Sequence, residues 1–303
     1  MAIREARASG LDYLNLATAL LQRARLAHPQ AGVWEAADVQ WWWRTPRRSD
    51  TIGQLFWMDE ESPVAGLMLT DWGRVWGCDP IVVPGLSAVP LATIWSRAVE
   101  AIDALGLEAV EVLARDDDSE LLALLSDAGF VARDRSGITW MDAEDRPEVA
   151  AVPEGFVLVD RARKRAGPHP MRRRSGEAVE ARLRECSLYD PELDLTVETA
   201  DGTVAGYALF WFDPVTEVGL VEPMRVEESY QRRGLARAML TEGLERLARR
   251  GARRSKVGYG TDAAWALYVG AGFRPTSTTT LYCWTRPIPP QGLETPLEIP
   301  SQR

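Results

Sequence analysis

The sequence predicts an α/β fold made of two tandem copies of one strand-and-helix unit, on three observations. Ala-Leu-Leu-Ser-Asp-Ala-Gly-Phe at 123–130 returns as Ala-Leu-Tyr-Val-Gly-Ala-Gly-Phe at 266–273, each followed by a β-like run at 137–141 and 280–284. Upstream, Pro63-Val-Ala-Gly-Leu-Met-Leu-Thr70 resembles Thr203-Val-Ala-Gly-Tyr-Ala-Leu-Phe210, each after an acidic or glycine turn of hairpin type. At 303 residues the chain is also long for one hydrophobic core and comfortable for two.

Between the copies, Asp142 to Pro153 is rich in Asp, Glu, Pro and Ala and has no periodicity, the composition of a linker. This places a Trp-rich first domain at 1–148, a second domain at 153–288 and a proline-rich tail at 289–303. In the second half, strands are expected at 156–159, 193–199, 204–212, 217–226 and 253–259, and a helix at 176–186. Leu235, Met239, Leu240, Leu244 and Leu247 recur at helical spacing, and Gly251 closes that helix at Arg250. A short helix follows from Asp262 to Val269, capped by Thr261 or Asp262.

Composition excludes several functions. No stretch approaches the ~20 apolar residues of a membrane span, and the mixed charges of the first residues do not read as a secretion signal, so a cytoplasmic protein is expected. Three scattered cysteines suit reduced thiols, and two distant histidines do not suggest a metal site. A net charge of −9 opposes nucleic-acid binding. A small molecule or peptide is the better substrate, and the protein is expected to be a monomer or homodimer. The arginines and lysine from Arg161 to Arg174 are a local exception, read either as a solvated flank or as a rim attracting an acidic substrate.

The sharpest local chemistry lies at Val226-Glu-Glu-Ser-Tyr-Gln-Arg-Arg-Gly-Leu-Ala-Arg237, where a strand stops and a helix begins. The first N–H groups of a helix have no partner within it, and with the helix dipole they attract an anion. Gly234 lets backbone approach a bulky phosphate, Ala236 keeps the next position open, and Arg232, Arg233 and Arg237 add positive charge.

Gln231-Arg-Arg-Gly-Leu-Ala236 resembles the Gln/Arg-x-x-Gly-x-Gly/Ala signature of the GCN5-related N-acetyltransferase (GNAT) family, and Ala266-Leu-Tyr-x-x-Ala-Gly-Phe273 resembles its C-terminal motif. The resemblance covers about residues 155–285. It implies a mixed, mostly antiparallel twisted sheet flanked by helices in each copy, and acetyl-CoA as co-substrate without a metal. By the same resemblance the amides from Arg232 to Arg237, Leu235 included, hold the CoA diphosphate, with the Gln231 side chain near it. Met224, Arg225 and Val226 run along the pantetheine arm, Thr261 and Ala264 stand at the start of the short helix beside the cofactor, and Tyr268 lies beside the thioester sulfur. Thr261 departs from the asparagine often found at its position.

Acyl transfer to an amine needs a neutral nucleophile, a stabilised carbonyl oxygen and a proton for the leaving thiolate. Glu222 alternates with Met224 and Val226 and is the expected base, with Pro223 enforcing extended backbone at it. Tyr268 is the expected acid, and the amide of Met224 or Val226 the carbonyl donor. The first half has Val82-Val-Pro-Gly-Leu-Ser-Ala-Val-Pro-Leu in place of the signature, without arginines and with two prolines lacking N–H donors, and Leu125 in place of Tyr268. It reads as a degenerate copy that walls the substrate site. Trp34, Trp41, Trp42, Trp43, Trp57, Trp72, Trp76 and Trp95 all precede residue 100; three consecutive indoles cannot share one face, so at least one should meet solvent, a ligand or the other half.

The expected activity is acetyl-CoA-dependent N-acetylation of a small molecule's primary amine (antibiotic, amino acid or polyamine) by direct transfer in a ternary complex. The alternatives are a non-catalytic acyl-CoA-binding sensory module, or an acetyltransferase similar to mycothiol synthase, whose tandem halves include one active copy.

Overall fold

The computed structural model describes residues 3–86, 89–164 and 167–287; the tail at 289–303 and Arg165 of the basic cluster lie outside the described residues. The first half runs β1 (Arg4–Ala8), α1 (Gly10–Ala27), α2 (Ala36–Trp43), β2 (Gln54–Asp59), β3 (Ser62–Asp71), β4 (Trp76–Val82), α3 (Leu91–Ala104), β5 (Ala109–Arg115), α4 (Ser119–Asp127) and β6 (Val131–Asp142). The second repeats this order as β7 (Phe156–Asp160), α5 (Arg172–Ser175), α6 (Val179–Glu185), β8 (Asp194–Thr199), β9 (Val204–Asp213), β10 (Val218–Val226), α7 (Leu235–Arg250), β11 (Arg254–Tyr259), α8 (Asp262–Gly270) and β12 (Arg274–Thr285). The helix expected at 176–186 is α6, which starts three residues later at Val179 because Gly176, at φ 89°, is the C-cap of the preceding short helix α5.

All twelve strands form one mixed sheet in the order β1-β2-β3-β4-β5-β12-β6-β11-β10-β9-β8-β7, mostly antiparallel. The last strand of each half completes the other half's sheet. β12 pairs with β5 (Leu281 opposite Leu113), β6 pairs with β11 (Trp140 opposite Lys256), and the two exchanged strands pair with each other. The linker between them follows α7: the Ala150 amide donates to Thr241 Oγ1 at 2.9 Å, and Arg146 Nε to Glu245 at 2.8 Å.

Helices of the first half also cross to the second. Tyr207, Leu209 and Trp211 alternate along β9 and bury one face of it in the same cluster as Leu14 and Leu20 of α1, Trp41 to Trp43 of α2, and Leu183 of α6. The opposite face, with Ala208 and Phe210, packs against Met239, Leu240 and Leu244 of α7. Gly243 of α7 exists because that helix rides on Phe210: an added Cβ would lie 2.1 Å from the ring. A buried ionic cluster spans the halves. Arg25 of α1 holds Glu35 through Nε at 2.8 Å, and Lys256 of β11 reaches the same carboxylate at 2.9 Å. Burial opposes the Glu35 charge, but Lys256 and Arg25 outweigh it and hold its pKa below the ordinary value. No described helix is long and apolar enough to cross a membrane.

Candidate active site

Val226 of β10 lies opposite Gly206, and Arg225 opposite Tyr207. The Glu227 amide donates to Ala205 O at 2.8 Å. Alternation along an antiparallel ladder then turns the Arg225 amide toward β9, and the amides of Met224 and Val226 away from it. On that side the sheet opens. β10 and β11 pair in parallel only at Val218–Leu220 against Arg254–Lys256, and beyond Leu220 they part into a wedge. The two amides proposed to face a thioester carbonyl therefore point into a gap rather than into a ladder.

At the mouth of the wedge the chain makes one 3₁₀ turn at Glu228–Tyr230, passes Arg232 at φ 63°, and reaches Gly234 at φ 84° as the N-cap of α7. An L side chain at Gly234 would be strained by backbone conformation alone, although Pro153 Cγ, at 3.7 Å, leaves space for a Cβ. Residues 231–234 and Arg237 are exposed, and Leu235 is buried as the helix's anchor. No described residue accepts a hydrogen bond from the amides of Arg232 to Arg237. Six successive donors at the start of a sixteen-residue helix make a cradle for a polyanion such as a diphosphate. Gln231 Nε2 donates to Val226 O at 3.3 Å, and the Arg233 guanidinium lies 5.6 Å from the Tyr230 ring centroid, so both side chains border the cradle.

Across the wedge, Thr261 caps α8: its hydroxyl accepts from the Ala264 amide at 3.2 Å. Its Oγ1 is thus engaged within the helix, and Ala264 takes part through its backbone. Tyr268, one turn on, is buried against Phe273 with ring centroids 5.9 Å apart. Its hydroxyl donates to no described side chain. Burial, helped by the Glu222 charge, pushes the phenol well above its ordinary pKa, so it keeps its proton.

Glu222 does not continue the strand alternation that the sequence suggests. The pairing register shifts between Val221 and Met224, a bulge that re-aims the side chain, and the Glu222 carbonyl is held by Trp211 Nε1 at 2.7 Å. The Glu222–Pro223 peptide is cis rather than part of an extended run. Burial pushes the Glu222 carboxyl up to about 7, the Asp38 carboxylate adds to the rise, and Arg44 and Trp41 pull against it. Asp38 is itself pushed up to about 6, chiefly by burial, while its Oδ2 accepts from the Glu35 amide at 2.7 Å in the capping box of α2.

Asp38, Trp41 and Arg44 come from the first half and were not among the residues expected at the site. The Trp41-Trp42-Trp43 run was the available signal. Trp41 carries the Arg44 guanidinium 3.4 Å over its ring, Trp42 packs edge-on to Trp34 and Trp72, and Trp43 donates to Glu185 of α6 at 2.7 Å. Each indole serves a different neighbour, and that of Trp43 lies in the second half. The basic cluster is mostly neutralised locally: Arg161 by Glu180, Lys164 by Glu198 and Arg172 by Glu177, while Arg174 reaches Glu227 beside β10 at 3.1 Å.

The first half has the same wedge without the cradle. β4 and β5 pair in parallel only at Trp76 and Gly77 against Val110 and Glu111. There α3 begins after Pro90, whose carbonyl accepts from Thr93 and Ile94, and the fully buried Leu125 stands where the second half has Tyr268. A cavity of about 500 Å³ lies here, lined by Trp34, Val83, Pro84, Leu91 and Leu121. It offers prolines where the second half offers free amides beside Glu222 and Tyr268, and a polyanion needs donors.

Residues 160–273 match the sequence profile of the Acetyltransferase (GNAT) family. This stretch is a GNAT domain. The fold of nearly the whole chain is that of solved GNAT structures. A GCN5-related N-acetyltransferase from Sphaerobacter thermophilus is 19% identical with a TM-score of 0.61, over 94% of this chain and 96% of that one. A tandem GNAT protein from the clavulanic acid biosynthesis pathway is 16% identical with a TM-score of 0.65, over 94% and 98%. No curated protein matches the sequence. The GNAT match supports acyl-CoA-dependent acetyl transfer in general, and the amide cradle, the wedge and Tyr268 all fall within residues 160–273.

Proposed function

We propose that the protein is an acetyl-CoA-dependent N-acetyltransferase that modifies the primary amine of a small molecule by direct transfer in a ternary complex. The observation that carries this reading is the row of six unpaired amides at Arg232 to Arg237, opening onto a wedge that holds Glu222 and Tyr268. Acetyl-CoA supplies an activated acyl group. Its diphosphate would lie on the cradle, and its pantetheine arm along Met224, Arg225 and Val226.

The chain's own groups supply the rest. Glu222, with a carboxyl titrating at about 7, is a carboxylate for about half the molecules at neutral pH and takes the proton of an incoming ammonium. The outward amides of Met224 and Val226 donate to the carbonyl oxygen as charge builds on it. Tyr268 keeps its proton until a thiolate leaves, then gives it up. Burial against α2 keeps water from competing with the amine.

The test is release of free CoA thiol against an amine panel, with Glu222→Gln and Tyr268→Phe alongside the native chain. Turnover that falls sharply in both variants while acetyl-CoA still binds supports the reading. Tight acetyl-CoA binding with no turnover on any amine overturns it in favour of a binding module.

A further inference from the structure

Beside Glu222 stands a guanidinium, that of Arg44, which none of the described acids pairs. Arg44 ends α2 with its guanidinium carbon 3.4 Å from the Trp41 ring centroid, its Nε donating to Ser175 Oγ at 3.2 Å and its Nη1 to Trp41 O at 2.8 Å. Among the described residues, no carboxylate lies within ion-pair distance of it. Burial, with repulsion from Arg47, pulls its pKa down to about 10, against the attraction of Glu222 and Tyr207. Tyr207, on the same face of β9, is surrounded by Arg44, Arg174, Arg225 and the single acid Glu227. That acid is shared: Arg174 reaches it at 3.1 Å and Arg225 at 3.6 Å.

Arg174 and Arg225 thus share one carboxylate, and Arg44 has only Glu222, whose charge is partial at neutral pH and which also lies near Asp38. A desolvated guanidinium costs free energy unless an anion joins it, and Arg44 keeps Nη2 free of any described partner. A planar guanidinium held on an indole is also pre-shaped for a carboxylate, which it binds through two parallel N–H donors. A diamine or polyamine entering beside Glu222 would instead bring its second cation toward the Arg44 guanidinium.

Taking the transferase reading as given, we propose that the acceptor is an amine that also bears a carboxylate, and that Arg44, supplied by the first half, is the residue that binds that carboxylate. The degenerate copy then determines specificity: α2 places the anion site, and the second half performs the transfer.

The experiment compares α-, β- and aromatic amino acids with their carboxamides and with simple diamines, using the full-length native chain, Arg44→Gln and Arg44→Lys. Turnover is read as CoA release, and binding to the CoA-saturated protein by calorimetry. In the native chain the preferred acid should exceed its carboxamide by roughly 10- to 100-fold in kcat/KM, the range for one hydrogen-bonded charge. Arg44→Gln should collapse that ratio toward one: the carboxamide loses only what the further rise of the Glu222 pKa costs, the acid loses that and its anion site, and acetyl-CoA affinity is unchanged, with Arg44→Lys restoring part of the ratio. A merely structural Arg44 would lower acid and carboxamide by the same factor and leave the ratio as it is in the native chain, which overturns the proposal, as does a native preference for carboxamides or diamines. The two readings fail separately. Turnover without preference for the acid removes the anion site and leaves the transferase. Arg44-dependent binding of acids over carboxamides, with no turnover, keeps the anion site and removes the transferase.

Discussion

Glu222 offers a test in which one substitution moves activity and stability in opposite directions. Its carboxyl titrates at about 7 against an ordinary 4.5, mainly because it is buried. That rise corresponds to about 3 kcal/mol of preference for the protonated form in the folded chain. The native state therefore holds this proton more tightly than the unfolded chain does. Its contribution to stability is complete below about pH 4.5, declines as pH rises, and is lost once pH passes about 7. Glu222→Gln is close in shape to the protonated acid and does not titrate. Urea unfolding of both proteins should give similar free energies at pH 4, with the variant becoming more stable by up to about 3 kcal/mol at pH 9. Transfer by the variant should meanwhile fall by roughly 10²-fold or more, the usual share of a general base. A variant whose stability difference from the native chain stays flat between pH 4 and 9 would refute the half-buried, proton-holding Glu222 on which the mechanism rests.

Asp38→Asn keeps the acceptor that caps α2 but removes a negative charge that raises Glu222, so the apparent pKa of kcat/KM should shift below about 7; an unmoved profile would separate Asp38 from the base. Tyr268→Phe removes the proton donor and little volume, so kcat should fall by roughly 10²-fold while acetyl-CoA affinity measured by calorimetry holds; loss of affinity instead would mark the phenol as a packing group. Glu35→Gln leaves Arg25 and Lys256 buried without their carboxylate, which should cost about 3–5 kcal/mol in urea unfolding; a cost under about 1 kcal/mol would mean that this cluster does not lock the halves together.

The local elements were readable because their signals are local. The helix read at 235–250 is α7 at Leu235–Arg250, since five apolar residues at helical spacing and a closing glycine at φ 102° leave no other solution. The strand read at 253–259 begins one residue later, and the short helix ends one residue later, at Gly270. The exchange of β6 and β12 was not readable. Both runs have the same alternation and suit the same slot, so which half each completes depends on pairings between Val110 and Trp284 or Trp140 and Lys256, far apart in sequence. The acceptor side was hidden for a related reason. Asp38, Trp41 and Arg44 sit in the first half and act on the second, and only the three adjacent indoles hinted that α2 had partners on several sides. The bulge at Glu222 was masked by a regular-looking strand, in which Pro223 suggested extended backbone.

The central claim is that one row of main-chain amides, in the second half alone, holds the diphosphate of acetyl-CoA. Calorimetric titration of the full chain with acetyl-CoA, beside S-acetylpantetheine that lacks the diphosphate, addresses it directly. The account predicts one acetyl-CoA per chain and affinity at least about 100-fold weaker for the truncated thioester, from the loss of several charge-assisted hydrogen bonds, with Gly234→Val reducing acetyl-CoA to the truncated level. Equal affinity for the two thioesters, two sites per chain, or a Gly234→Val chain that binds as the native one does would contradict it.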